Sequence, residues 1–210
     1  MFEMKIKWYG HACFEIRTAD GSVVIDPYSD QSVPGLPPLC INADTVLCSH
    51  EHRDHNCRNA VHLSGKQCNI SISSLNTWHD EVKGAVRGSN QIHILNAEGM
   101  KLVHFGDLGC ELTSEETELL RNADVIMIPI GGHYTIDSVQ ASEIVAELDP
   151  RIVIPMHYRG RTEKGSVFGY EEISTSDAFR KTCFNPTDYA GSLIEVDKNT
   201  PKQTAFLQLQ

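Results

Sequence analysis

No apolar run in the 210-residue chain approaches the roughly 18 residues that a membrane-spanning helix needs. The opening Met1-Phe2-Glu3-Met4-Lys5 also lacks the basic and then apolar segments of a secretory leader, and passes directly into a strand-like pattern. Together these absences give the expectation of a cytoplasmic protein without membrane partners. Clustered Lys and Arg are missing too, and the formal net charge is -10. That argues against broad contact with a nucleic-acid backbone. A small anionic substrate stays open, because a local metal charge outweighs the global balance. Among the seven cysteines (Cys13, Cys40, Cys48, Cys57, Cys68, Cys110 and Cys183) no CxxC occurs, which removes zinc ribbons and thioredoxin-type motifs. An odd number at scattered spacings reads as reduced, mostly buried thiols. There is no internal repeat, low-complexity tract or linker, so residues 1–210 are expected to form a single domain. Nothing specifies an oligomeric state.

What is present is ordinary globular material, 40% hydrophobic and 22% charged. Residues 5–8, 12–17 and 22–25 read as short strands, with a turn at Ala19-Asp20-Gly21. Residues 45–48 form a short buried strand that runs into a histidine-rich segment. Further strands are expected near Ile70 and over 92–95 and 101–105, with a turn at Ala97-Glu98-Gly99. The second half changes rhythm. Thr113 and Glu116 make a capping box at a helix start. Residues 124–130 are an apolar strand. Asp137 and Gln140 repeat the cap, and Ala141, Ile144, Val145 and Leu148 give one buried helix face that ends at Asp149-Pro150. Residues 152–155 are a buried strand, 170–182 a helix, and 192–196 and 204–209 late strands. Meander strands followed by strand–helix–strand units suggest two packed sheets with helices outside, a mixed α/β layered domain.

The strongest chemical signal is Ser49-His50-Glu51-His52-Arg53-Asp54-His55-Asn56, at the end of a buried strand where loops carry chemistry. In extended backbone His50 and His52 face one side. A turn after Arg53 would aim Asp54 and His55 at a second point nearby. Imidazole and carboxylate suit zinc, and also iron or manganese. Four residues at one corner do not complete two coordination spheres. Other strand ends offer further donors, at Trp78-His79-Asp80, at His104-Phe105-Gly106-Asp107-Leu108-Gly109 and at Pro155-Met156-His157-Tyr158.

Together with Gly10-His11-Ala12-Cys13, Asp26-Pro27 and Pro129-Ile130-Gly131-Gly132, these blocks make residues 5–158 resemble the metallo-β-lactamase superfamily, in particular its small UlaG-like branch of metal-dependent hydrolases. The resemblance implies an αββα four-layer sandwich of two mixed sheets flanked by helices, with two divalent metal ions at one edge. His50, His52 and His79 would hold the first ion, Asp54, His55 and His157 the second, and Asp107 would bridge them. Asp26 would orient the histidine-rich loop. The implied reaction is hydrolysis of a small ester, lactone or phosphoester by a hydroxide shared between the ions. Asp54 or Asp107 would handle its proton, and His11 and His133 are candidate helpers near the leaving group. His104 reads as core or as a support behind the ligands, His62 and His93 as structural or surface, and Tyr158 and Arg159 as possible contacts for an anionic group. Two other readings remain: a small nucleic-acid phosphodiesterase, and a non-catalytic metal-binding sensor or scaffold. The short segment between His55 and His79 holds no inserted RNA-clamping domain, which weighs against the first. After Tyr158 no residue assigns a substrate.

Overall fold

The computed structural model describes residues 4–210. Its strands are β1 (Met4–Gly10), β2 (Cys13–Thr18), β3 (Gly21–Ile25), β4 (Ile41–Ala43), β5 (Thr45–Leu47), β6 (Val61–Leu63), β7 (Ser71–Trp78), β8 (Ser89–Ala97), β9 (Met100–His104), β10 (Val125–Pro129), β11 (Ile152–Met156), β12 (Gly160–Arg161), β13 (Val167–Phe168), β14 (Pro186–Asp188), β15 (Leu193–Val196) and β16 (Gln203–Phe206). The α-helices are α1 (Ser114–Leu120), α2 (Ser138–Leu148) and α3 (Asp177–Arg180). One mixed sheet has the order β15-β1-β2-β3-β5, the other β14-β16-β11-β10-β9-β8-β7.

Alternation places the two faces of the first sheet. Phe14, Ile16, Val23 and Ile25 face the main core, shared with Leu102, Val125, Met127 and Ile154 of the second sheet. Their neighbours Cys13 and Val24 pack on the opposite face against Tyr28, Val33, Ile41, Ala43 and Val61. The cover over that outer face is therefore the proline-bearing loop and the small β4–β6 sheet, while α1 and α2 follow the second sheet. Strands β10 and β11 are buried at every position, as parallel strands covered on both faces must be.

Both capping boxes form. Thr113 Oγ1 accepts from the Glu116 amide, and Asp137 accepts from the Val139 and Gln140 amides. Asp149 closes α2 in the left-handed region at φ 47°. The β8–β9 hairpin turns through Glu98 and Gly99 at φ 52° and 70°, the pair of positive values that a two-residue turn of matching twist requires. The expected helix over 170–182 is not there, only the single turn α3. Tertiary bonds override its propensity. The Tyr170 hydroxyl is drawn to the Ser32 carbonyl at 2.6 Å, and residue 174 bridges the Arg159 amide and the Gly131 carbonyl. The cysteines also differ from expectation. All seven are free thiols, but Cys13 alone is fully buried, Cys40 is exposed and the others are half-buried.

Strands β1, β3, β5, β7, β9, β10 and β11 all deliver their C-terminal ends to one edge, since β3–β5, β9–β10 and β10–β11 are parallel pairs. β1 and β7 regain that direction through two antiparallel steps each.

Candidate metal centre

Six strand ends supply the side chains. His11 follows β1, Asp26 follows β3, the His50–His55 segment follows β5, His79 follows β7, Asp107 follows β9 and His157 follows β11. His11, Asp26 and His157 sit at φ 53°, 51° and 52°, a left-handed conformation that costs a non-glycine residue energy and clusters at functional sites. The backbones are locked across the two sheets. The His157 amide and the Trp8 indole N–H both donate to the His11 carbonyl, at 3.1 and 3.0 Å. Gly131 fits under His157 because it has no side chain. A Cβ there would lie 2.1 Å from the His157 carbonyl oxygen.

The donors gather in three overlapping groups: His50, His52 and His79; His11, Asp54, His55 and His157; and His50, His55 and Asp107. Within each group the donor atoms lie within 4.8 Å of one another. Asp107 is the hub. Its Oδ2 stands 3.2 Å from His55 Nε2, 3.3 Å from His79 Nε2, 3.2 Å from His157 Nε2 and 3.9 Å from His50 Nε2. The His50–His55 segment is a bend and turn rather than extended chain, because Asp26 draws Ser49 inward, yet the His50 and His52 rings still meet at 4.6 Å.

Asp26 is fully buried and accepts from the Ser49 amide (2.6 Å), the Ser49 hydroxyl (2.6 Å) and His55 Nδ1 (3.0 Å). Having given its only proton to Asp26, the Ser49 hydroxyl must accept from His50 Nδ1, 2.9 Å away. One carboxylate thus places a proton on Nδ1 of both His50 and His55. Burial raises the Asp26 carboxyl, but His55 outweighs it and holds the group below the usual carboxylate range. Asp107 and Asp54 are likewise held low against burial, Asp107 chiefly by His157 and His55, and Asp54 by His11 and His55. Burial pushes His50 down to about 3. Burial also opposes the charged form of His55, yet Asp107 and Asp26 raise it well above the ordinary value.

The fit to bound cations rests on orphaned atoms. His50 Nε2, His55 Nε2 and Asp107 Oδ1 are buried at the cluster without a hydrogen-bond partner. Leaving such atoms unpaired costs about 1–3 kcal/mol each, and divalent ions held by nitrogen and carboxylate donors would offset that cost.

Other expected residues fall outside the cluster. Asp80 turns away from it and accepts four amides, from Val82, Gly84, Val86 and Arg87, which fixes the 81–88 loop behind His79. His104 uses both ring nitrogens, toward the Ala12 carbonyl and the Gly106 amide, and is core as expected. His93 is buried beside Ser74, and His62 is exposed. His133 is exposed on a groove that also touches His79, against the Tyr134 ring. Tyr158 is buried against Trp8 and Phe168, and Arg159 lines a separate cavity with Arg161 and Asp177, so neither faces the cluster.

Sequence reasoning missed Ser49, Asn90, Arg87, Tyr134 and Tyr170. Asn90 is buried on β8. It receives the Asp107 amide and donates to Thr77 and the Phe105 carbonyl, and no motif marks it. Tyr170 places its hydroxyl 3.1 Å from Asp54 Oδ2, where His11 Nε2 also lies at 3.2 Å.

Histidines and aspartates gathered where two packed mixed sheets end define a protein of the metallo-β-lactamase fold class. The family model described as the beta-lactamase superfamily domain matches residues 5–157, and the chain belongs to that family. It is 28% identical to a UPF0173 metal-dependent hydrolase of Thermoplasma acidophilum, over 75% of this chain and 84% of that one. A UPF0173 protein of Pyrococcus abyssi is 30% identical over 80% of this chain and 89% of its own. A crystal structure from Thermotoga maritima, of a candidate Zn-dependent hydrolase of the metallo-β-lactamase superfamily, matches with TM-score 0.75 and 27% identity, covering 99% of this chain and 100% of that one.

Proposed function

We propose that this chain is a metal-dependent hydrolase that holds two divalent ions and cleaves a small ester, lactone or phosphoester. The observation that carries the reading is the pair of donor groups sharing Asp107 as neighbour, lined by buried nitrogens without partners. The metal-dependent hydrolase named among its relatives supports the same class. His50, His52 and His79 would hold the first ion, Asp54, His55 and His157 the second, and Asp107 would touch both. A set of five imidazoles and two carboxylates suits zinc first, with manganese or iron as the other choices. Bound there, the ions would acidify a shared water and polarise the electrophilic centre of the substrate.

The chain's own residues do the rest. Asp54 Oδ2, held by His11 and Tyr170, is placed to orient the attacking water and take its proton. Burial and the neighbouring His157 push His11 down to about 4, so at neutral pH it is an uncharged imidazole that donates Nε2–H and steadies Asp54. His133, exposed on the adjoining groove, would meet the leaving group or the bulk of the substrate.

We also read residues 1–210 as one domain, in the cytoplasm. A core cluster common to both sheets and seven free thiols support this. Among the described residues no helix is long and apolar enough to cross a membrane. The test is hydrolysis of p-nitrophenyl esters and phosphoesters with and without chelator. Chelation should abolish turnover and divalent metal should restore it. Full activity in a metal-free His50→Ala, His55→Ala variant would overturn the mechanism. Full metal loading without turnover of any generic substrate would favour a sensor or scaffold.

A further inference from the structure

The cavity over the histidine cluster has a volume of about 290 Å³, and its walls include Asp54, Asp107, Tyr134, Tyr170 and Arg87. Arg87 is the one fixed cation on that wall. It also lines the groove of about 440 Å³ that holds His133 and a neighbouring cavity of about 360 Å³ beside His50. Its guanidinium has no carboxylate partner among the described residues and stands 5.5 Å from the Tyr134 ring. Arg17, Arg58, Arg121, Arg151 and Arg180 pair with carboxylates, and of the arginines that do not, Arg87 is the one that lines this cavity.

Nor is Arg87 loosely held. Asp80 accepts its amide at 2.7 Å and those of Val82, Gly84 and Val86 at 2.8 to 3.0 Å. The next residue, Gly88, accepts the His79 amide at 3.1 Å. A single hydrogen-bonded loop therefore carries both a candidate metal ligand and the Arg87 side chain, and fixes their backbones relative to one another. An acidic chain repels anions at a distance; the proposed ions would draw in the group under attack, and Arg87 is the cation beside them for a second anionic group.

We propose that Arg87 is a specificity-determining residue that pairs with an anionic group of the substrate while the scissile bond lies against the His/Asp cluster. The preferred substrates are then small esters or phosphoesters that carry a carboxylate or phosphate of their own. This rests on the hydrolase reading and names the substrate class within it. A planar guanidinium binds either anion in bidentate fashion.

The experiment uses the zinc-loaded full chain, as wild type, Arg87→Ala and Arg87→Lys, each with its metal content measured. Calorimetric titration with succinate and with inorganic phosphate reads binding. Turnover is compared between mono-p-nitrophenyl succinate, which carries a carboxylate apart from its scissile ester, and neutral p-nitrophenyl acetate. At equal metal content, Arg87→Ala should weaken binding of at least one anion about 10-fold or more. It should lower the anionic-to-neutral ratio of kcat/KM by a similar factor, with partial recovery in Arg87→Lys. The anion that loses more identifies the natural group. Wild-type affinity for both anions, or an unchanged ratio, overturns the proposal. Should wild type bind these anions through Arg87 yet turn over nothing, the hydrolase reading fails and the anion site stands. Should turnover persist with affinities indifferent to Arg87, the reverse holds.

Discussion

Replacing Asp26 by Asn changes one buried atom, yet it should weaken both ions. In the native arrangement the carboxylate accepts from His55 Nδ1 and, through the Ser49 hydroxyl, fixes His50 Nδ1 as a donor. Both imidazoles then turn an Nε2 lone pair toward the cluster. With Asn in place, the amide oxygen can keep the Ser49 amide, but the NH2 group faces the Ser49 hydroxyl and His55. The hydroxyl must then accept from the amide and donate to His50 Nδ1, which moves the His50 proton to Nε2. His55 meets a donor at Nδ1 and is pushed to the same tautomer. A protonated Nε2 cannot ligate. Loss of such an outer partner costs about 10- to 100-fold in metal affinity, and here one ligand of each proposed ion is affected. Each charge-assisted bond lost also contributes about 1.5–3 kcal/mol, so the metal-free protein should be less stable as well. The assay is competition for zinc against a chromophoric chelator. Ser49→Ala is the comparison, since it interrupts only the arm to His50 and should weaken only the first ion. Two zinc ions bound by Asp26→Asn with wild-type affinity would refute the tautomer argument.

Two further outcomes follow from the packing. Burial pushes the His104 imidazole down to about 4 from an ordinary 6.5. The unfolded chain therefore takes up a proton that folded His104 refuses. The stabilisation is present in full above pH 6.5 and is lost as pH falls toward 4, by about 3 kcal/mol. Denaturant melts of metal-free protein should show this acid-side loss reduced in His104→Gln, and an unaltered slope would contradict it. Gly131→Ala places a Cβ where the His157 carbonyl stands, so it should cost about 1–3 kcal/mol and shift His157. A variant with wild-type stability and metal content would show that the contact relaxes freely.

The proposed ligand set was legible because its members follow strand ends, and β10 and β11 are five-residue apolar runs that composition marks plainly. The histidine-rich segment is dense enough to read alone. His79 and Asp107 needed the family resemblance, since neither has a spacing motif of its own. The supporting residues were not legible for a physical reason. Asn90, Tyr170 and Arg87 act through contacts 17, 116 and 7 residues away in sequence, to Asp107, Asp54 and Asp80. Such contacts leave no periodicity. The helix expected over 170–182 failed in the same way, because the Tyr170 hydroxyl anchors a loop that local propensity reads as helix. Arg159 looked suited to an anion because it follows His157 closely, yet the chain turns it onto another cavity.

Metal content per chain is the most direct test of the two-ion centre. Elemental mass spectrometry should be run on untagged protein purified without chelator, alongside Asp107→Ala, which removes the carboxylate that stands among His50, His55, His79 and His157. Two divalent ions per wild-type chain and a clear fall in the variant are the expected result. Essentially no metal in wild type, even after incubation with zinc or manganese, would contradict it.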